Sequence, residues 1–99
     1  MRKICVIGDM LELGKDSYHY HNEVVSVIEK SRVDIVFTIG NYSKVISKNL
    51  PKSIESFHFD DLDMLYNKLK DILKDNDFLM IKGSNSMNLN TICNKLKLS

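Results

Sequence analysis

The feature that most constrains this chain is an alternation of two kinds of segment. Short runs that are apolar without a break are separated by stretches whose apolar residues recur at the helical spacing. The first run is Arg2 to Ile7, around Ile4-Cys5-Val6-Ile7. Asp34 to Ile39 (DIVFTI) is the second, Ser56 to Phe59 (SFHF) a weaker third, and Phe78 to Ile81 (FLMI) the fourth. A strand with one wet face alternates polar and apolar residues, whereas an unbroken apolar run fits a strand covered on both faces, as in a parallel sheet. Between the runs, His21, Val24, Val25 and Ile28 fall at i, i+3, i+4 and i+7. Leu62, Leu65, Tyr66, Leu69, Ile72 and Leu73 repeat that spacing behind Asp60 and Asp61, both good N-cap residues, and Leu89, Ile92, Cys93 and Leu96 repeat it near the C-terminus. Tyr42, Val45, Ile46 and Leu50 predict a shorter helix that Pro51 ends, because the residue before a proline is pushed out of the α region.

The expected order is therefore βαβαβαβα. It predicts an α/β, Rossmann-like three-layer domain: a mostly parallel four-stranded sheet in order 3-2-1-4, with right-handed crossovers and helices on both faces. At 99 residues the chain is read as a single domain, residues 1–99, long enough to bury a core without staples. With 43% hydrophobic and 27% charged residues it falls in the ordinary globular range, which excludes disordered, collagenous and disulfide-scaffold classes. A net charge of +1 lacks the basic excess of a nucleic-acid binder. No run reaches the ~18 apolar residues of a membrane span, and Gly8-Asp9 interrupts any signal-peptide core, so a soluble, cytoplasmic chain without a membrane partner is expected. Cys5 and Cys93 sit in apolar runs and read as two reduced, buried thiols.

In open α/β sheets, ligands bind beyond the carboxyl ends of the strands, where neighbouring crossovers leave in opposite directions. For order 3-2-1-4 that point lies between the first and fourth strands. The segments leaving those two strands are Gly8-Asp9-Met10-Leu11-Glu12-Leu13-Gly14 and Lys82-Gly83-Ser84-Asn85-Ser86-Met87. The first is no phosphate loop: one residue too many separates the glycines, Asp16 replaces the magnesium-binding Ser/Thr, and Asp9 and Glu12 repel phosphate. An acidic loop there suits an ammonium group or a hydrated cation; equally, its glycines simply make a turn with solvated acids. The second segment has the opposite character. Gly83 tolerates positive φ, Ser84, Asn85 and Ser86 are helix-start residues, and Lys82 adds positive charge, so a carboxylate or phosphate is attracted; an ordinary strand-to-helix cap reads the same way. His21 is expected to be a mostly buried, hydrogen-bonded residue near the first loop. No His, Cys or carboxylate spacing makes a metal site, and no nucleophile stands beside a base, so no catalytic residue and no resident cofactor are assigned.

These segments resemble the C-terminal domain of the Mur ligases, and within them the branch that adds D-alanyl-D-alanine. That domain opens with a strand running into GDMLELG, reproduced by residues 8–14. A histidine in the next helix is matched by His21, a strand ending in V-G by Thr38-Ile39-Gly40, and an H-F strand by His58-Phe59. K-G-S-R-x-M is matched in part by Lys82-Gly83-Ser84-Asn85-Ser86-Met87. The resemblance covers essentially the whole chain. Asn85 stands where the family usually has arginine, and Asn90 where an acid is usual.

The resemblance implies the third domain of an ATP-dependent ligase of peptidoglycan synthesis, which joins D-alanyl-D-alanine to UDP-N-acetylmuramoyl-tripeptide. Its implied partners are the N-terminal UDP-sugar domain, the central ATP-binding domain and the dipeptide. ATP and Mg2+ would be held mainly by the central domain, and this chain would be inactive alone. Asp9, Met10, Glu12, Lys82, Ser84, Asn85 and Ser86 become candidate substrate contacts, with Gly8, Gly14, His21 and Gly83 shaping the site. The competing reading is a stand-alone flavodoxin-like binding or interaction module. An independent nucleotide-binding protein is disfavoured by the acidic first loop.

Overall fold

The structure, a computed structural model, describes residues 2–9, 17–41 and 43–83, with the side chains of 17, 18 and 20–22 left aside. Four strands and three helices alternate: β1 (Lys3–Gly8), α1 (Ser17–Lys30), β2 (Ile35–Ile39), α2 (Lys44–Asn49), β3 (Glu55–Phe59), α3 (Leu62–Ile72) and β4 (Phe78–Lys82). The strands form one sheet in order β3-β2-β1-β4 with every pairing parallel. Both are as the alternation of segments predicts. The helix expected around Leu89 to Leu96 lies outside the described residues.

Strand residues alternate between faces, and the two faces have separate cores. Ile4 and Val6 of β1 join Ile35, Phe37 and Ile39 of β2 against Leu65 and Leu69 of α3. Cys5 and Ile7 point the other way and join Val36 with Val25 and Ile28 of α1 and Ile46 of α2. This is why β1 and β2 carry unbroken apolar runs: Val6 is 0% and Ile39 5% exposed. The edge strands are different. In β3, Phe57 and Phe59 pack towards α3, their rings 5.3 and 5.8 Å from Phe37. Ser56 points the other way, its hydroxyl 3.4 Å from Ser47 of α2. An edge strand half covered in this way reads as alternating, and so weak, in the sequence.

Local chemistry sets the helix limits. The Asp61 side chain accepts the Asp63 N–H at 2.7 Å and caps α3. Leu65 and Leu69, one turn apart, are fully buried, each worth ~1.5–3 kcal/mol relative to exposure. Leu50, held extended at ψ 145 before Pro51, ends α2. The crossovers from β1 to β2 and β2 to β3 run one way across the sheet, with α1 and α2 on one face. The return from β3 to β4 runs the other way, with α3 on the opposite face. Crossovers of one hand require that reversal of face, and it leaves a crevice beyond the ends of β1 and β4.

Candidate functional site

The register brings the two loop segments to one end of the sheet. Ile7 pairs with Lys82 and Gly8 with Ile39, so Gly8-Asp9, Gly40 and Lys82-Gly83 all leave the same carboxyl edge. Among the described candidates, Gly8 is buried, Asp9 is buried, Lys82 is exposed and Gly83 is half-buried. Met10, Glu12, Gly14, Ser84, Asn85 and Ser86 lie outside the described residues. His21 belongs to α1, but its side chain also lies outside them.

Asp9 is only 4% exposed. Its Oδ1 accepts the backbone N–H of Ser43 at 2.7 Å, tying the end of β1 to the start of α2. The carboxylate rests on Gly40, which has φ +107. A Cβ at that position would lie 2.5 Å from the Asp9 Cγ and 2.6 Å from both its oxygens. Glycine is thus required twice over, by backbone conformation and by contact. Composition suggested solvated acids on a turn, whereas this acid is turned inward. Gly40 ending the neighbouring strand was the signal in the sequence, and Ser43 gave none.

A second polar pair lies beside it on the neighbouring strands. The fully buried Thr38 has Oγ1 2.7 Å from His58 Nδ1. His58 Nε2 is 3.4 Å from Asp60 Oδ1 and makes no hydrogen bond among the described residues. The tautomer decides which of the two, the hydroxyl or Nδ1, donates. Sequence reading placed His58 only as a strand residue.

Cys5 is free and buried, and burial pushes its thiol above the ordinary value, which disfavours the nucleophilic thiolate. Among the described residues no group of three His, Cys, Asp or Glu could hold a metal ion. No helix among them is long and apolar enough to cross a membrane. The chemistry available at this edge is positioning: an inward carboxylate, an ammonium at Lys82 and the backbone of two loop roots.

Comparison with known proteins agrees with this arrangement. The family described as "Mur ligase, glutamate ligase domain" matches residues 1–85. UDP-N-acetylmuramoyl-tripeptide–D-alanyl-D-alanine ligase of Rickettsia prowazekii is 33% identical over 90 residues, covering 91% of this chain and 20% of the relative. The ligase of the same name from Buchnera aphidicola is 38% identical over 96 residues, covering 95% and 20%. Among solved structures, MurF ligase from Thermotoga maritima in complex with ADP superposes with a TM-score of 0.73 at 23% identity. That match covers 94% of this chain and 21% of the MurF chain, and it bears on the fold alone. The chain thus spans about a fifth of the length of its curated relatives. Strand order, the two loop roots and the family match over residues 1–85 lead to one conclusion: this chain belongs to the Mur ligase family, to its C-terminal domain.

Proposed function

We propose that the chain serves as the closing domain of an ATP-dependent ligase that adds D-alanyl-D-alanine to UDP-N-acetylmuramoyl-tripeptide. On this reading residues 1–99 are one domain working with N-terminal UDP-sugar and central ATP-binding domains. ATP and Mg2+ belong mainly to the central domain, and this chain has no activity alone. The observation that carries it is the adjacency of Gly8-Asp9 and Lys82-Gly83 at the switch point of the sheet. The curated relatives that match nearly the whole chain carry the name of that ligase.

The dipeptide is a zwitterion. Its ammonium faces the acidic loop that carries Asp9, Met10 and Glu12. Its carboxylate faces Lys82 and the turn through Ser84, Asn85 and Ser86. Closure over the central domain excludes water and strengthens both contacts. In the open domain they are weak, and binding of the dipeptide is millimolar at best, roughly −4 kcal/mol. The test is phosphate release from ATP with the tripeptide and dipeptide substrates. A full-length ligase ending in this domain turns over, while the same ligase lacking it and the chain by itself do not. Turnover by the shortened ligase would remove the closing role, and a reading frame upstream with no phosphate-loop domain would favour the stand-alone module.

A further inference from the structure

Among the described residues, α2 is the most weakly held helix. It has six residues, against fourteen in α1 and eleven in α3, and so short a helix is marginal by itself. It buries Ile46, whereas α1 buries Val25 and Ile28, and α3 buries Leu65 and Leu69. Towards β3 its contact is polar, with Ser47 Oγ 3.4 Å from Ser56 Oγ. Its start is weak as well. Ser43 makes no side-chain cap, and the Ser47 N–H reaches the Ser43 carbonyl only at 3.4 Å. What fixes this start comes from another element. The Ser43 N–H donates to Asp9 Oδ1 at 2.7 Å, and that carboxylate is itself seated on Gly40. The far end of α2 is fixed independently. Leu50 and Ile54 pack on the core beneath α1 and α2, and the Pro51 carbonyl accepts the Ile54 N–H at 3.0 Å.

We propose that the Asp9–Ser43 bond is a latch on α2. The helix opens from its N-terminal end as a unit while the sheet stays folded, and the strength of this bond sets how often it does so. Local openings of this kind arise where few apolar contacts are buried, and the central strands offer the contrast, since Val6 and Phe37 are fully buried. The latch has a consequence for the carboxyl edge of the sheet. Asp9 is the first residue beyond β1, so each opening of α2 takes one tie from the root of the acidic loop. By linkage, anything that steadies that root shifts α2 towards its closed state, whatever the loop binds.

The experiment is native-state hydrogen exchange, read by NMR on the 99-residue chain at several urea concentrations below the unfolding transition. Wild type, Asp9→Ala and Asp9→Asn are compared. In the wild type, the amides of Ser47, Lys48 and Asn49 are expected to exchange at least ~10-fold faster than those of Val6 and Phe37, with little urea dependence. Asp9→Ala should speed the α2 amides a further ~10-fold or more. Asp9→Asn, which keeps an acceptor but loses the charge, should speed them ~3-fold. Wild-type α2 amides that exchange at the rate of the sheet, with the same urea dependence, would show that α2 opens only in global unfolding and would overturn the proposal. So would local α2 exchange that neither variant changes. If Asp9→Ala does not fold, Asp9→Asn decides alone.

Discussion

Asp9, Gly40 and Ser43 make one device from three strand and helix ends. The carboxylate fills the space that Gly40 leaves empty and holds the Ser43 N–H at 2.7 Å. Their substitutions are expected to rank by what each leaves unsatisfied. Gly40→Ala forces a side chain into the carboxylate at positive φ and should lower stability by at least ~1–3 kcal/mol, read as a fall in the urea midpoint. Asp9→Ala strands a buried N–H, at a cost of ~1–3 kcal/mol, whereas Asp9→Asn keeps an acceptor and should cost less. Ser43→Ala retains the backbone donor and removes a buried hydroxyl with no hydrogen-bond partner among the described residues, so it should be neutral within ~0.5 kcal/mol or stabilising. Equal costs for Asp9→Ala and Asp9→Asn would show that the carboxylate matters for charge and not for this bond. Asp9 and Gly40 stood out in the sequence as loop and strand-end residues, but the bond to Ser43 was not legible, because it joins residues 34 positions apart through a backbone N–H that every residue type but proline presents.

At the scale of elements, the amino end of the sheet is closed by Arg2. Its guanidinium donates to both oxygens of Asp77, at 3.0 and 2.6 Å, and to the Ile72 carbonyl at 2.7 Å, joining β1 to the turn between α3 and β4. The same carboxylate accepts the Lys74 N–H at 2.8 Å. The Arg2 hydrogen bonds, then the Lys74 N–H, hold the Asp77 carboxyl down at about 2, against 3.8 for the free group. A folded value below the unfolded one means that this tie stabilises fully above pH 3.8 and is lost as pH falls towards 2. Acid titration of the unfolding free energy should show a loss over that window, and Asp77→Asn should flatten it. A variant with an unchanged acid slope would place the lost stability elsewhere. The elements themselves were largely readable. Central strands announced themselves by continuous burial, α3 by its cap and its Leu65–Leu69 spacing, and α2 by Pro51. Truncating Leu65 to Ala is expected to cost ~2–5 kcal/mol in a chemical unfolding curve, because the residue is fully buried in the core that α3 shares with β1 and β2. The reading slipped at the strand ends, by about one residue, where hydrogen bonding and not side-chain chemistry sets the limit.

For the whole molecule, topology does what no single motif does. The order of strands brings together two loop roots separated by more than seventy positions, and that adjacency follows from the parallel alternation and the hand of the crossovers. The identity of a bound ligand does not follow from such physics, since the same edge serves many chemistries. It was the particular residues of the two loops that pointed to the Mur ligases, and the family match over residues 1–85 bears this out. Under the proposed function, opposite charges at this edge hold a zwitterionic dipeptide during closure. The most direct measurement is the apparent affinity for D-alanyl-D-alanine in ATP turnover by the full-length ligase, with Lys82→Met and Asp9→Asn made separately. Loss of a charged hydrogen bond is worth ~1.5–3 kcal/mol, so Lys82→Met should weaken it by ~10–100-fold. Asp9→Asn, at a buried carboxylate, should weaken it less. If both variants leave the affinity unchanged, these loops do not hold the substrate and the domain contributes closure alone.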